Sequence, residues 1–326
     1  MQIIEVKNLY KSYKKIEAVK GISFSVNQGE IFGFLGPNGA GKTTTINVLC
    51  TLLKQSSGEA YLDNLEISRN QGEIRKRIGL VFQDTTLDDY LTAEENIKFH
   101  GYAYNMPKNL LAQRTENLLK MMDLWDRRKE NVRSYSGGMK RRLEIARGLL
   151  HLPKVLFLDE PTLGLDPQTR RKIWDHINEI RLKDKITIFM TTHYMDEAEN
   201  CNRIAIIDHG KIIALNSPEG LKIDLGGDTV EITTENVSEA EKEIKSLNLK
   251  PTITNNNISF QVPNGNEFLP NFVQNFQQKI ISIELRRPTL DDVFISLTGK
   301  AIREQNQSST DQMRSWRNRR GMGGSR

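Results

Sequence analysis

Apolar residues in this chain follow several rhythms, and each predicts a different element. Ile3-Ile-Glu-Val6 and Gly21-Ile-Ser-Phe-Ser-Val26 alternate apolar and polar positions, as in strands with one buried face. Glu30-Ile-Phe-Gly-Phe-Leu35, Ile78-Gly-Leu-Val-Phe82, Val155-Leu-Phe-Leu158, Ile186-Thr-Ile-Phe-Met190 and Arg203-Ile-Ala-Ile-Ile207 are short apolar runs. Such runs predict buried strands. Elsewhere the period lengthens to that of a helix. Thr43 to Cys50 reads as one helix and Leu110 to Leu124 as another, while Thr92-Ala-Glu-Glu95 is a capping box that opens a third. Asp166-Pro167 sets an N-cap acid before a proline at the first helical position, so a helix is predicted to about Arg181. Asp208-His-Gly-Lys211 reads as a hairpin turn.

After Gly226-Gly227 the character changes. Thr229–Thr233, helical Val237–Leu247, Pro251–Thr254, an Asn-rich turn, Ile258–Val262, helical Phe268–Gln278 and Ile281–Leu285 spell β-α-β-β-α-β. That order predicts a small ferredoxin-like lobe. The chain therefore divides into a nucleotide-binding unit over 1–225, with a helical subdomain at about 84–150, an accessory α+β lobe over 226–299, and a tail over 300–326.

The first chemistry lies where a strand meets a helix. Gly36-Pro37-Asn38-Gly39-Ala40-Gly41-Lys42-Thr43 matches the phosphate-loop pattern GxxxxGK[ST], between the strand ending at Leu35 and the helix that Thr43 and Thr44 open. Glycines let backbone N–H groups turn inward around phosphate oxygens, and the helix N-terminus adds partial positive charge. Lys42 is the expected partner of the β/γ-phosphates, and the Thr43 hydroxyl is the expected Mg²⁺ ligand. Alone, the loop says only that a nucleoside triphosphate binds.

Further segments say which kind. Tyr135-Ser136-Gly137-Gly138-Met139, followed by a basic helical stretch to Arg147, resembles the LSGGQ signature of ATP-binding cassette (ABC) ATPases. The rest of that family's set is present in order: Gln83 closing its strand, Asp159-Glu160-Pro161 after an apolar strand, Gly164-Leu165-Asp166 as the D-loop, and His193 as the switch histidine. Tyr13, in Lys-Ser-Tyr-Lys, matches the aromatic that stacks on adenine. The resemblance covers residues 1 to about 220, and Arg287-Pro-Thr-Leu-Asp-Asp-Val-Phe294 through Gly299 resembles the closing motif of the daunorubicin-resistance branch. Met139 departs from the family's glutamine, which puts a ribose contact in doubt. The fold so implied is α/β: a P-loop ABC ATPase core with an antiparallel β edge and a helical subdomain, plus a small α+β C-terminal lobe.

The resemblance also implies roles. ATP with Mg²⁺ is the cofactor pair; Asp159 holds the cation through water, while Thr43 and Gln83 ligate it directly. Glu160 is the general base, His193 contacts the γ-phosphate and orients Glu160, and Asp166 joins the catalytic set. Ser136, Gly137 and Gly138 serve the ATP of a second subunit, which makes a head-to-tail, ATP-dependent homodimer. The helical subdomain receives a coupling helix from an integral-membrane permease. The function implied is export of a drug-like or amphipathic compound, energised from the cytoplasmic face of the cell membrane. An importer subunit, a lipid or polysaccharide exporter subunit, and a soluble ABC ATPase are the alternatives.

Composition narrows the classes. Apolar runs fall far short of the roughly 20 residues a membrane span needs, so the permease is expected as a separate chain. No basic region leads into an apolar stretch at the start, so no signal peptide is expected. Cys50 and Cys201 have no metal-like spacing and read as reduced thiols. Of the net charge of +5, +4 comes from residues 301–326, whose six arginines oppose only Glu304 and Asp311. A nearly neutral body with a basic, disorder-prone tail is not a nucleic-acid binder.

Overall fold

The computed structural model describes residues 1–254 and 257–299; the basic segment from 300 onward lies outside the described residues. Six strands form the central sheet in the order Lys211–Asn216, Arg203–Asp208, Ile31–Leu35, Thr187–Thr192, Val155–Asp159, Ile78–Val81. Neighbours are parallel except for the hairpin joining Arg203–Asp208 to Lys211–Asn216. The continuous apolar runs follow from burial on both faces. In Ile31–Leu35, Ile31 and Leu35 enter one apolar cluster while Phe32 and Phe34 enter the other. Val155 and Phe157 split from Leu156 and Leu158 in the same way. On one face the rings of Phe24, Phe32, Phe34, Phe157 and Phe189 meet at centroid distances from 5.4 to 6.0 Å. Each such ring contributes about 1.5–3 kcal/mol by leaving water.

The alternating segments at the start pair as an antiparallel sheet, Ile16–Asn27 beside Gln2–Tyr13. Its third strand, Ser57–Leu62, and the short Leu65–Glu66 are additions to the predicted elements. Their signal was a turn rather than an apolar run. Leu62 pairs with Leu65 across Asp63-Asn64, and both turn residues have positive φ (50° and 62°), as a tight hairpin requires.

Helices Ala93–Ala103, Lys108–Met121 and Gly137–Leu149 pack on one another within the stretch expected to form a helical subdomain. The capping box forms as expected: Glu95 N donates to Thr92 Oγ1 at 3.2 Å, and Thr92 N donates to the Glu95 carboxylate at 2.8 Å. The helix opened by Asp166-Pro167 runs on to Asp184, past Arg181, and stops where Lys185 turns left-handed.

Residues 228–286 adopt the β-α-β-β-α-β order. Their sheet runs Thr252–Thr254, Asn257–Val262, Asp228–Thr234, Ile280–Arg286, antiparallel throughout, with its own apolar cluster around Phe260 and Phe272. Its second helix is Gly265–Asn275, shifted toward the N-terminus from the predicted Phe268–Gln278. The shift has a local cause: Asp228 Oδ2 accepts from Gly265 N at 2.8 Å and anchors the first turn. Helix Leu290–Thr298 then leaves this lobe. Its Leu290, Val293 and Phe294 are buried in the main cluster of the nucleotide-binding unit, together with Leu221.

Candidate functional site

The phosphate loop leaves the C-terminal end of the central strand Ile31–Leu35, which lies between Arg203–Asp208 and Thr187–Thr192. Open α/β sheets bind ligands at such ends. Gly41 is the N-cap of helix Lys42–Leu49 and has φ 108°, a value that disfavours a side chain; a Cβ there would also lie 2.6 Å from Ala18 O. A cleft of about 410 Å³ opens at this helix N-terminus. It is lined by Ala18 and by the sequence-predicted Pro37, Asn38, Gly39, Gly41, Lys42, Thr43, Thr44, Gln83 and Glu160.

Lys42 is buried. Its Nζ donates to Gly36 O at 2.7 Å and to Pro37 O at 3.3 Å, and lies 3.3 Å from Glu160 Oε1. Burial lowers its pKa, and the charges of Glu160 and Asp159 oppose that shift. A polyphosphate, with more negative charge than one carboxylate, would compete with Glu160 for this ammonium. Ala40 closes the loop, its N–H donating to Pro37 O at 3.2 Å and its carbonyl accepting from Gly210 N at 3.0 Å.

Asp159 ends the strand Val155–Asp159, Glu160 follows it, and the two do different things. Asp159 Oδ1 accepts from Thr43 Oγ1 at 3.3 Å and from the Thr191 hydroxyl. Two hard oxygen donors thus meet beside the phosphate loop, with Gln83 lining the same cleft, and this donor set fits Mg²⁺ carried in with a nucleotide. No cluster of three or more His, Cys, Asp or Glu suited to a metal occurs among the described residues. Glu160 has φ 47°, a strained backbone for a residue with a side chain. Its N–H donates to Thr191 O at 3.2 Å and to Thr191 Oγ1 at 3.1 Å, and His193 Nδ1 lies 3.4 Å from its Oε1.

Tyr13, Ser136, Gly137, Gly138 and Asp166 fall outside the lining of the cleft. Tyr13 is exposed at the end of its strand, with Lys11 Nζ 5.1 Å above the ring. Ser136 caps helix Gly137–Leu149, its Oγ accepting from Met139 N at 3.3 Å. Asp166 caps the next helix, accepting from Thr169 N at 3.0 Å and Thr169 Oγ1 at 2.6 Å. These two caps belong together: a Cβ on Gly138 would stand 2.3 Å from Thr169 Cγ2. The Met139 sulfur accepts from Arg127 Nη1 at 3.2 Å.

Two buried groups near the site went unread in the sequence. Glu197 accepts from the hydroxyls of Thr162 and Thr192, tying the segment after Glu160 to the one before His193. Burial raises its pKa against the pull of those two hydroxyls. Arg141 is the other. It sits on the buried stripe Gly138, Arg141, Ile145, Leu149 of its helix, and a charge on an apolar stripe was the available signal.

The chain is similar to known proteins over most of its length. Residues 19–163 match the family model described as ABC transporter. The chain is 35% identical over 312 residues to the linearmycin resistance ATP-binding protein LnrL of Bacillus subtilis, covering 93% of this chain and 100% of that relative. It is 35% identical over 309 residues to the doxorubicin resistance ATP-binding protein DrrA of Mycobacterium tuberculosis, covering 90% and 93%. Among solved structures, a dimeric post-hydrolysis ATP-binding cassette bound to ADP and Pi superposes with a TM-score of 0.61 at 30% identity, covering 66% of this chain and 98% of that one.

Proposed function

The chain belongs to the ABC transporter family of ATPases, and from that premise we propose that it energises a separate membrane permease exporting a drug-like or amphipathic compound. The observation that carries this reading is the reach of the similarity. The solved cassette covers 66% of the chain, whereas the resistance relatives run on through the C-terminal lobe to 90–93% of it. None of the described helices is long and apolar enough to cross a membrane.

At the site, Lys42 and the N–H groups of the loop bind the β/γ-phosphates, and the exposed Tyr13 stacks on adenine. Thr43, Gln83 and Asp159 are the residues that would hold Mg²⁺, which neutralises phosphate charge. Glu160 takes the proton of the attacking water, with His193 orienting its carboxylate. Because Ser136, Gly137 and Gly138 lie outside the cleft of their own chain, a second copy packed head to tail would supply them, with Asp166 at the seam. ATP then closes the dimer, and hydrolysis opens it to move the permease.

The test is reconstitution with a permease that co-purifies with this chain from detergent. Wild type should drive ATP-dependent outward movement of a labelled amphipathic drug, and Glu160→Gln should keep ATP binding while turnover falls roughly 10²–10⁴-fold. Inward movement would identify an importer. Failure of any permease to co-purify would leave an ATPase without the export role.

A further inference from the structure

Arg141 lies within the first turns of the helix that Ser136 caps, yet its side chain points into the catalytic segments of its own chain. Its Nε donates to Pro161 O at 2.6 Å, and its Nη2 to Asp159 O at 2.9 Å and Glu160 O at 3.0 Å. Its Nη1 donates to Phe82 O and, at 3.2 Å, to Glu144 Oε2. A guanidinium has five N–H donors in a fixed plane, and these five bonds match that number. The bonds divide by what they do. Phe82 and Glu144 anchor the guanidinium; Glu144 is itself fixed, its Oε1 accepting from Thr86 N at 2.7 Å. The other three bonds take three consecutive carbonyls, those of Asp159, Glu160 and Pro161.

The middle residue of those three has the left-handed backbone with φ 47°. Such a conformation persists only where its surroundings over-determine it. Thr191 holds the Glu160 N–H, and Arg141 holds its carbonyl. We propose that Arg141 is a positioning residue for the catalytic step: it fixes the Asp159–Pro161 backbone so that the Glu160 carboxylate faces the nucleotide beside Lys42 and His193. This rests on the reading of Glu160 as general base. A lysine in its place keeps the charge but presents one compact ammonium, which cannot hold three successive carbonyls and two anchors.

The experiment is a double-mutant cycle in the full chain, assayed with its permease. Arg141→Lys should lower kcat on the order of 10²-fold, as a slightly misplaced catalytic group does, with ATP affinity by equilibrium binding unchanged. In the Glu160→Gln background the same substitution should cost nothing further, because no base remains to be aligned. A second, equal slowdown in the double variant, read by single-turnover hydrolysis of radiolabelled ATP, overturns the proposal. So does weakened ATP binding with kcat preserved. Turnover retained in Glu160→Gln alone overturns the general-base reading first, and the Arg141 role with it. If Arg141→Lys does not fold, Glu144→Gln loosens the anchor instead. It should give a smaller fall in kcat with the same non-additivity, and additive losses there reject the role equally.

Discussion

His193 Nδ1 lies 3.4 Å from Glu160 Oε1, the oxygen that also stands 3.3 Å from Lys42 Nζ. Burial alone pushes the Glu160 carboxyl up. The His193 contact and the Lys42 charge outweigh it and hold the group below the usual carboxylate range. The three side chains come from distant segments and converge on one atom.

A pH consequence follows from this convergence. A base loses activity as pH falls through its pKa, so with Glu160 as the proposed base, His193→Ala, by removing a contact that lowers the Glu160 pKa, should move the acid limb of kcat/KM to higher pH. The free-enzyme profile is the one that reports this group. Stability carries the same sign. A carboxyl whose folded pKa is depressed adds stability above its unfolded pKa, lost as pH falls through the folded value, and His193→Ala should shrink that contribution. An acid limb that stays in place would falsify the coupling of His193 to Glu160.

Tyr13 offers a test by substitution pair. Stacking on a base contributes roughly 1–3 kcal/mol, so Tyr13→Ala should weaken ATP binding by a corresponding factor with little change in maximal rate. Tyr13→Phe keeps the ring and should be mild. Equal damage from both substitutions, measured by nucleotide titration, rejects stacking.

The contact between the two helix caps predicts a suppressor. Gly138→Ala drives a Cβ to 2.3 Å from Thr169 Cγ2, on a β-branched side chain held by Asp166. The nucleotide-free protein should lose about 1–3 kcal/mol of stability, as overpacked sites do. Thr169→Ser removes the methyl and keeps the hydroxyl bond to Asp166, so adding it should restore much of the loss. Denaturant midpoints of the two single variants and the double variant decide the matter, and absence of any recovery rejects the packing explanation.

The proposed dimer has its own signature. Lys42→Ala and Ser136→Ala, each nearly inactive alone, should partly rescue one another when co-assembled. If the two residues act across an interface, a mixed dimer gathers both lesions in one site and leaves its other site intact. If they serve the same chain's ATP, every site stays damaged. Turnover of the mixed dimer, or trapping of a single nucleotide per dimer where both sites must fire together, is the measurement. No recovery in either, with co-assembly verified, rejects the head-to-tail arrangement.

What the sequence determined by itself is local. The phosphate loop was legible because its chemistry needs glycines, a lysine and a threonine within one strand-loop-helix connection, and no other part of the chain can substitute for that spacing. The buried strands were legible because a sheet covered on both faces demands unbroken apolar runs, and the β-α-β-β-α-β lobe because periodicity alone orders its elements. Tertiary structure decided everything that depends on partners far along the chain. Helix Leu290–Thr298 advertises an apolar face, but its amphipathic pattern does not say whether that face meets the lobe or, as it does, Leu221 of the nucleotide-binding unit. Asp63-Asn64 could turn any pair of strands until Ser57–Leu62 was seen beside Gln2–Tyr13. Arg141 in sequence is one basic residue in a run of three. Its place on the buried stripe sets it apart from Lys140 and Arg142, but only folding, which brings the carbonyls of residues 82 and 159–161 within reach of one planar cation, decides what it holds. Burial then requires that every one of its donors find an acceptor.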